Sequence, residues 1–135
     1  MEECCRTIAD QQQVEIEHHV IRDQPELEAH RQLFTRWNDR RDRFDLFVKV
    51  DADTVLCRDT ALAERFRLFA ENDDVTGVQA GLHDYFSDSM IAGLNCFSPA
   101  VSFSVPDDEL YCDRVVEQGH RRLLRPDDTM SLYPI

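Results

Sequence analysis

Apolar residues recur at two different spacings along this chain. Residues 1–13, 22–41 and 58–73 carry them three and four apart, the period of a helix with one buried face. In the first segment Cys5, Ile8 and Ala9 share a side. In the second, Leu27, Phe34 and Trp37 fall on one face, joined by Leu33. Asp23 or Gln24 caps that helix, with Pro25 in its first turn. Glu26 and Glu28 suit its positive end, and Arg40 and Arg41 its negative end. In the third, Asp59 or Thr60 is the cap and Leu62, Phe66, Phe69 and Ala70 form the core stripe. Elsewhere the pattern is that of strands. Residues 14–21 alternate and then turn apolar, and 44–50, 75–80 and 90–98 are short apolar runs. Gly93 marks a bulge or a close approach in the last of these. Residues 81–88 read as a polar-aromatic loop. Residues 106–119 read as a helix capped by Asp107 or Asp108 and ended by Gly119, and 121–124 as a final strand.

Strands that alternate with helices predict an α/β fold, a mostly parallel sheet with helices on both faces. The chain has 135 residues, one domain with one core, spanning 1–135. In such sheets ligands bind beyond the carboxyl ends of the strands. One strand end stands out. The run 44–50 stops at Asp51 and Asp53, two carboxylates that repel each other.

Charge narrows the partners. Lys plus Arg is 15 and Asp plus Glu is 27, a net charge of −12. That surface repels phosphate backbones, which argues against nucleic acid and anionic membranes. No apolar run approaches the ~20 residues of a membrane span, and the N-terminal residues show no secretory signal. The five cysteines, Cys4, Cys5, Cys57, Cys96 and Cys112, are odd in number and form no C-x-x-C pair. Reduced thiols in a cytoplasmic protein are the simplest reading.

Residues i and i+2 of an extended chain point to one face, roughly 6.5–7 Å apart. Asp51 and Asp53 then reach one ion, directly or through water, and a hard divalent cation relieves their repulsion. Mg²⁺ and Mn²⁺ favour such oxygen ligands, and Mg²⁺ commonly shares substrate phosphates. The pattern points to a metal–phosphate or metal–diphosphate site. The alternative is that both residues cap the next helix and fill a turn.

The stretch "FDLFVKVDADTVL" resembles the D-x-D element of nucleotide-sugar glycosyltransferases of the GT-A fold, family-2-like. "ECCRTIADQ" resembles the helix after their first strand, where a C-x-x-S-I-x-x-Q pattern is frequent. "VEIEHHVIRD" resembles their second strand, whose terminal acid near the nucleotide base falls on Asp23. "EAHRQLFTRWN" resembles the helix leading to the D-x-D strand. "DDELYCDRVVEQGHR" resembles the later E-D-x-D-L-x-x-R-L helix, with Asp107 in place of its glutamate, Asp108 on its aspartate and Arg114 on its arginine. The resemblance implies a mostly parallel, Rossmann-like three-layer sandwich of the GT-A type. It implies a nucleotide-sugar donor held through Mn²⁺ or Mg²⁺ at Asp51 and Asp53, with Asp23 at the base. The acceptor is a carbohydrate or other hydroxyl, deprotonated by Asp108 or, second, Asp113. A single base goes with inversion at the anomeric carbon. "AGLNCFSP", with Asn95, would line the acceptor side, and His83 and Asp84 lie where acceptor contacts occur.

The family's first strand would precede residue 1 and its third metal ligand would follow His120, so the resemblance describes a truncated GT-A domain. Open strand edges and self-association, or a strand donated by a partner, are then expected. A non-catalytic remnant acting as an interaction module is one alternative. The other is a haloacid-dehalogenase-like phosphatase, whose D-x-D-x-[TV]-[LV] signature "DADTVL" fits. In it Asp51 is the nucleophile and Asp53 the general acid, around Mg²⁺. That motif normally ends a domain's first strand, whereas here a strand is expected before it. Asp127 and Asp128 would be its later acids, but the family's lysine between motifs is absent: Lys49 is the one lysine.

Overall fold

The computed structural model describes residues 1–105 and 116–132. Their helices are α1 (Glu2–Ala9), α2 (Glu26–Arg40), α3 (Ala61–Glu71) and α4 (Pro126–Leu132). Their strands are β1 (Phe47–Lys49), β2 (Val75–Asp84), β3 (Ser89–Phe97), β4 (Ser102–Ser104), β5 (Val116–Gln118) and β6 (Arg122–Leu124). No helix among them is long and apolar enough to cross a membrane.

The architecture is α/β, built on a four-stranded mixed sheet in the order β1-β3-β2-β6. Two of its three pairings are antiparallel, so the expectation of a mostly parallel sheet is corrected. The cause is local. Residues 81–84 continue β2 instead of forming a loop, and Asp84 accepts from the Ser87 amide at 2.9 Å to close a tight turn into β3. A hairpin that short permits only antiparallel pairing. β1, β2 and β6 nevertheless run the same way, with β3 reversed between β1 and β2. Their carboxyl ends therefore share one edge of the sheet.

Strand alternation sends side chains to two cores. On one face, Cys4 and Ile8 of α1 and Leu62 and Leu68 of α3 pack with Val78, Leu94, Cys96 and Leu124. On the other, Phe34 and Trp37 of α2 pack with Phe97, Val101 and Phe103. Phe47 of β1 joins that second core, stacked on Trp37 with ring centroids 5.0 Å apart. Burying each such aromatic stabilises the fold by about 1.5–3 kcal/mol. The Trp37 indole donates to the Val101 carbonyl at 2.9 Å, and Asn38 brackets the Phe103 backbone at 2.6 and 2.9 Å. These bonds dock α2 onto β4.

Four further expectations are corrected. Residues 14–21 form no strand: Glu17 is drawn to Arg36 and Arg40 of α2, which holds the segment off the sheet. In α1 it is Cys4, not Cys5, that turns inward with Ile8. In α3 the buried positions are Ala61, Leu62, Ala63, Arg65 and Leu68, while Phe66 is 39% exposed. The helix expected over 106–119 lies largely outside the described residues, and its last turn is replaced by β5, paired with β4. Gly119 follows β5 at φ 86°, where a side chain would also meet the Ala100 carbonyl oxygen. Gly93 does lie at a bulge: the register slips between Gln79 and Gly81 of β2, and a Cβ on Gly93 would collide with Leu82.

Candidate functional site

β1 delivers Asp51 to the carboxyl edge of the sheet, where the chain turns at once. The Thr54 amide donates to the Asp51 carbonyl at 3.0 Å, placing Ala52 and Asp53 in a turn. The two carboxylates are thus offered by a turn rather than side by side on an extended strand. Both are exposed. The Lys49 ammonium sits 2.7 Å from the Asp51 carboxylate, so half of the anionic pair is already balanced.

Helix α1 fixes this turn and the loop after it. The Cys4 thiol donates to the Asp51 carbonyl at 3.6 Å. Thr7 Oγ1 accepts from the Leu56 amide at 3.2 Å. Gln11 Nε2 donates to the carbonyls of Thr7 and Arg58 at 3.0 and 2.8 Å, and its Oε1 accepts from the Leu62 amide at 2.9 Å. That last bond caps α3 from outside, because the Thr60 hydroxyl points instead to Glu64 at 2.9 Å. The Gln12 amide adds a bond to the Asp59 carbonyl at 2.6 Å. Cys4, Thr7 and Ile8 of α1, with Gln11 just past its end, thus grip residues 51–62. Burial, chiefly, pushes the Cys4 thiol up; Cys5 and the nearby Asp53 and Asp51 carboxylates add to this, against the opposing α-amino group.

Beside β1 opens a cavity of about 820 Å³, walled by α1, α2 and residues 14–21. Asp51 and Ala52 stand at its exposed rim. Its lining runs as far as Ile21 and does not include Asp23, which is exposed in a turn at φ 55° ahead of α2. Asp53 is likewise outside the lining. His18 and His19 also line it.

The same sheet edge carries the β2–β3 hairpin. There His83 Nε2 meets Asp88 Oδ1 at 2.9 Å, and Tyr85 and Phe86 are 86% and 95% exposed. The Ser87 hydroxyl and amide hold the Asp84 carboxyl below the usual carboxylate range. Asn95 lies opposite Lys49 in the β1–β3 register, next to the turn. Asp127 and Asp128 open α4 after β6, at the far side of the sheet. Three strand spacings, about 14 Å, separate β6 from β1, too far for one ion to touch both acid pairs. Asp108 and Asp113, with Asp107 and Arg114, lie outside the described residues.

Among the described residues no three His, Cys, Asp or Glu side chains converge on a point. The donor set at the turn is two exposed carboxylates, one of them ion-paired. That fits Mn²⁺ or Mg²⁺ only when a ligand's phosphate oxygens complete the shell. Of the cysteines described, Cys4, Cys5, Cys57 and Cys96 are free, and burial pushes the Cys96 thiol up to about 12. No protein-family model, no curated protein and no solved structure matches this chain.

Proposed function

We propose that this chain is a GT-A-type glycosyltransferase domain that binds a nucleotide-sugar donor at the carboxyl end of β1. The observation that carries the reading is the grip of α1 on the D-x-D loop. The residues of "ECCRTIADQ" that match the family's C-x-x-S-I-x-x-Q helix are Cys4, Thr7, Ile8 and Gln11. Each of them either bonds to residues 51–62 or is buried in the core beneath them. A loop that must present carboxylates to a diphosphate needs such a scaffold, since a loosely held pair of anions binds weakly.

In this reading Asp53, with Asp51 beside it, takes a divalent cation together with the donor's diphosphate. When bound, the cation neutralises charge that builds on the departing diphosphate. Lys49 orients Asp51 and lends the same edge a positive charge. Asn95 lies close enough in register to bond a sugar hydroxyl. Asp108, or Asp113, takes the proton of the acceptor hydroxyl. The free thiols accord with a cytoplasmic setting.

The phosphatase reading gains one observation: with residues 14–21 unpaired, β1 is the first strand of the described chain. It loses another: Asp127 and Asp128 lie across the sheet from Asp51, too far to share its ion. A direct comparison separates the two. The protein should bind uridine or guanosine diphosphate in the presence of Mn²⁺, and should release no phosphate from an aryl phosphate. Phosphate release that disappears in Asp51→Asn would overturn the assignment.

A further inference from the structure

The β2–β3 hairpin reaches past its neighbours in the sheet. β1 pairs with β3 only at residues 95–97, and β6 pairs with β2 only at 75–78. A bulge at Gly93 and Leu94, opposite Ala80, marks where the two strands leave the sheet. Beyond it residues 81–84 pair with 89–92 and form an arm. Residues 89–92 are exposed on both faces of the arm. Tyr85 and Phe86 at its tip are 86% and 95% exposed. A two-stranded ribbon with neither face packed is marginally stable at best in water. The arm has the form of an element that is completed by something outside the chain.

The outer edge of β3 is open along this arm. Among the described residues, no backbone bond other than those to β2 reaches residues 89–94. Soluble proteins shield such edges with charges or proline, and β3 carries neither anywhere along its length. Met90 and Ile91, on opposite faces, are 41% and 46% exposed. The open edge starts where β1 stops. A strand laid against the far side of β1 leaves it open all the same.

Charge selects a second copy of this chain as the occupant. Two identical strands laid antiparallel set each residue near its own counterpart, so any charge on the strand would oppose a like charge. A chain of net charge −12 can meet itself closely only on a stretch without carboxylates, and β3 is such a stretch. The charged groups at the two ends of the arm are mostly engaged. At the tip His83 holds Asp88 at 2.9 Å, and Asp84 accepts from the Ser87 amide at 2.9 Å. At the root Lys49 holds Asp51 at 2.7 Å, while Asp53 is exposed to water. A second arm is also a strand already, so little further ordering opposes the pairing.

The geometry points to a two-fold dimer in which the β3 arms of two copies pair antiparallel, edge to edge, centred near Ile91. The two ribbons become one four-stranded arm. Met90 and Ile91 gain cross-strand neighbours on opposite faces, and each tip comes alongside the root of the other arm. Four aromatic rings of about 150–250 Å² each bring the contact to the order of 1,000 Å², the size a specific interface needs. The pairing is isologous and closes at two copies. The inference does not rest on the glycosyltransferase reading.

Light scattering on the full chain across a dilution series tests it, with Ile91→Lys and Ile91→Glu as probes. The unsubstituted chain should pass from single to double mass as its concentration rises. Ile91 is half exposed, so both variants should keep the far-ultraviolet circular dichroism of the unsubstituted protein. Each variant alone should weaken the association at least about tenfold, because like charges then face each other across the axis. Mixed in equal amounts, the two should recover the double mass, since lysine then faces glutamate. Met90→Lys and Met90→Glu repeat the comparison on the opposite face, should the Ile91 variants lose the native spectrum. A single mass at every concentration, or assemblies beyond two copies, would overturn the proposal. So would a mixture that stays at single mass. A dimer equally strong in each variant alone would show that another surface joins the copies, and would overturn it too. Nucleotide binding is read separately, so either result leaves the donor-site reading to its own test.

Discussion

Gln11 shows how much one side chain can organise. It is 9% exposed and bonds three backbone groups from two different segments. Truncating it to alanine leaves the Leu62 amide and the Arg58 carbonyl without that partner in a half-closed site. Gln11→Ala should therefore destabilise the fold by about 1–3 kcal/mol. Urea unfolding with an unchanged slope would read this out, and an unchanged midpoint would contradict the capping role. The role was not visible in the pattern of apolar positions, because Gln11 lies just past the end of α1. Only the likeness to C-x-x-S-I-x-x-Q singled it out. The adjacent pair Cys4 and Cys5 shows the opposite difficulty. Either cysteine can face the core of a two-turn helix, and packing against Leu56 and Leu62 chose Cys4. Asp51 and Asp53 were legible as a pattern. Their conformation was not, since a two-residue spacing is the same in a strand and in a turn.

At the scale of elements, helices were legible from their apolar stripes, but not from the expected caps: Pro25, not Asp23 or Gln24, stands at the N-cap of α2, and Thr60 at that of α3 makes no side-chain capping bond. α2 and α3 start and stop within a few residues of their expected limits. The inward face of α3 was misjudged because Phe66 outranks Arg65 in hydrophobicity, yet Arg65 is buried and Phe66 borders the cavity. Residues 14–21 have the alternation of a strand, but a strand exists only with a partner, and α2 captured the segment first. That capture is electrostatic and so depends on pH. The hydrogen bond from Arg40, aided by Arg36, holds the Glu17 carboxyl below its ordinary 4.5. A depressed folded value means that the contribution is present above about 4.5 and is lost as pH falls through the lower, folded value. Amides of 14–21 should exchange at a steady intrinsic-corrected rate from pH 7 to 5 and open at lower pH. In Glu17→Gln that acid-dependent opening should vanish. An identical acid profile in the variant would show that something else holds the segment.

For the whole molecule, the α/β class was legible from the succession of helices and strands. The mixed pairing was not, because residues 81–88 carry polar and aromatic side chains that mark a loop as readily as a hairpin. The hairpin reversed β3 and left β1, β2 and β6 pointing the same way. It thereby gathered Asp51, Asp53, Asn95 and the His83–Asp88 pair toward one edge of one sheet, while Asp127 and Asp128 fell in α4, past the far strand β6. The central claim is that the turn after β1 holds a cation shared with a diphosphate. Thermal unfolding measures it most directly. Mn²⁺ alone should change the melting temperature little, since two exposed carboxylates make an incomplete shell. Mn²⁺ with uridine or guanosine diphosphate at a hundred times its dissociation constant should add about 2.7 kcal/mol, a rise of several degrees in a domain of this size. Asp53→Ala should fold normally and lose that increment. An equal increment in Asp53→Ala, or none in the unsubstituted protein, would contradict the assignment of the site.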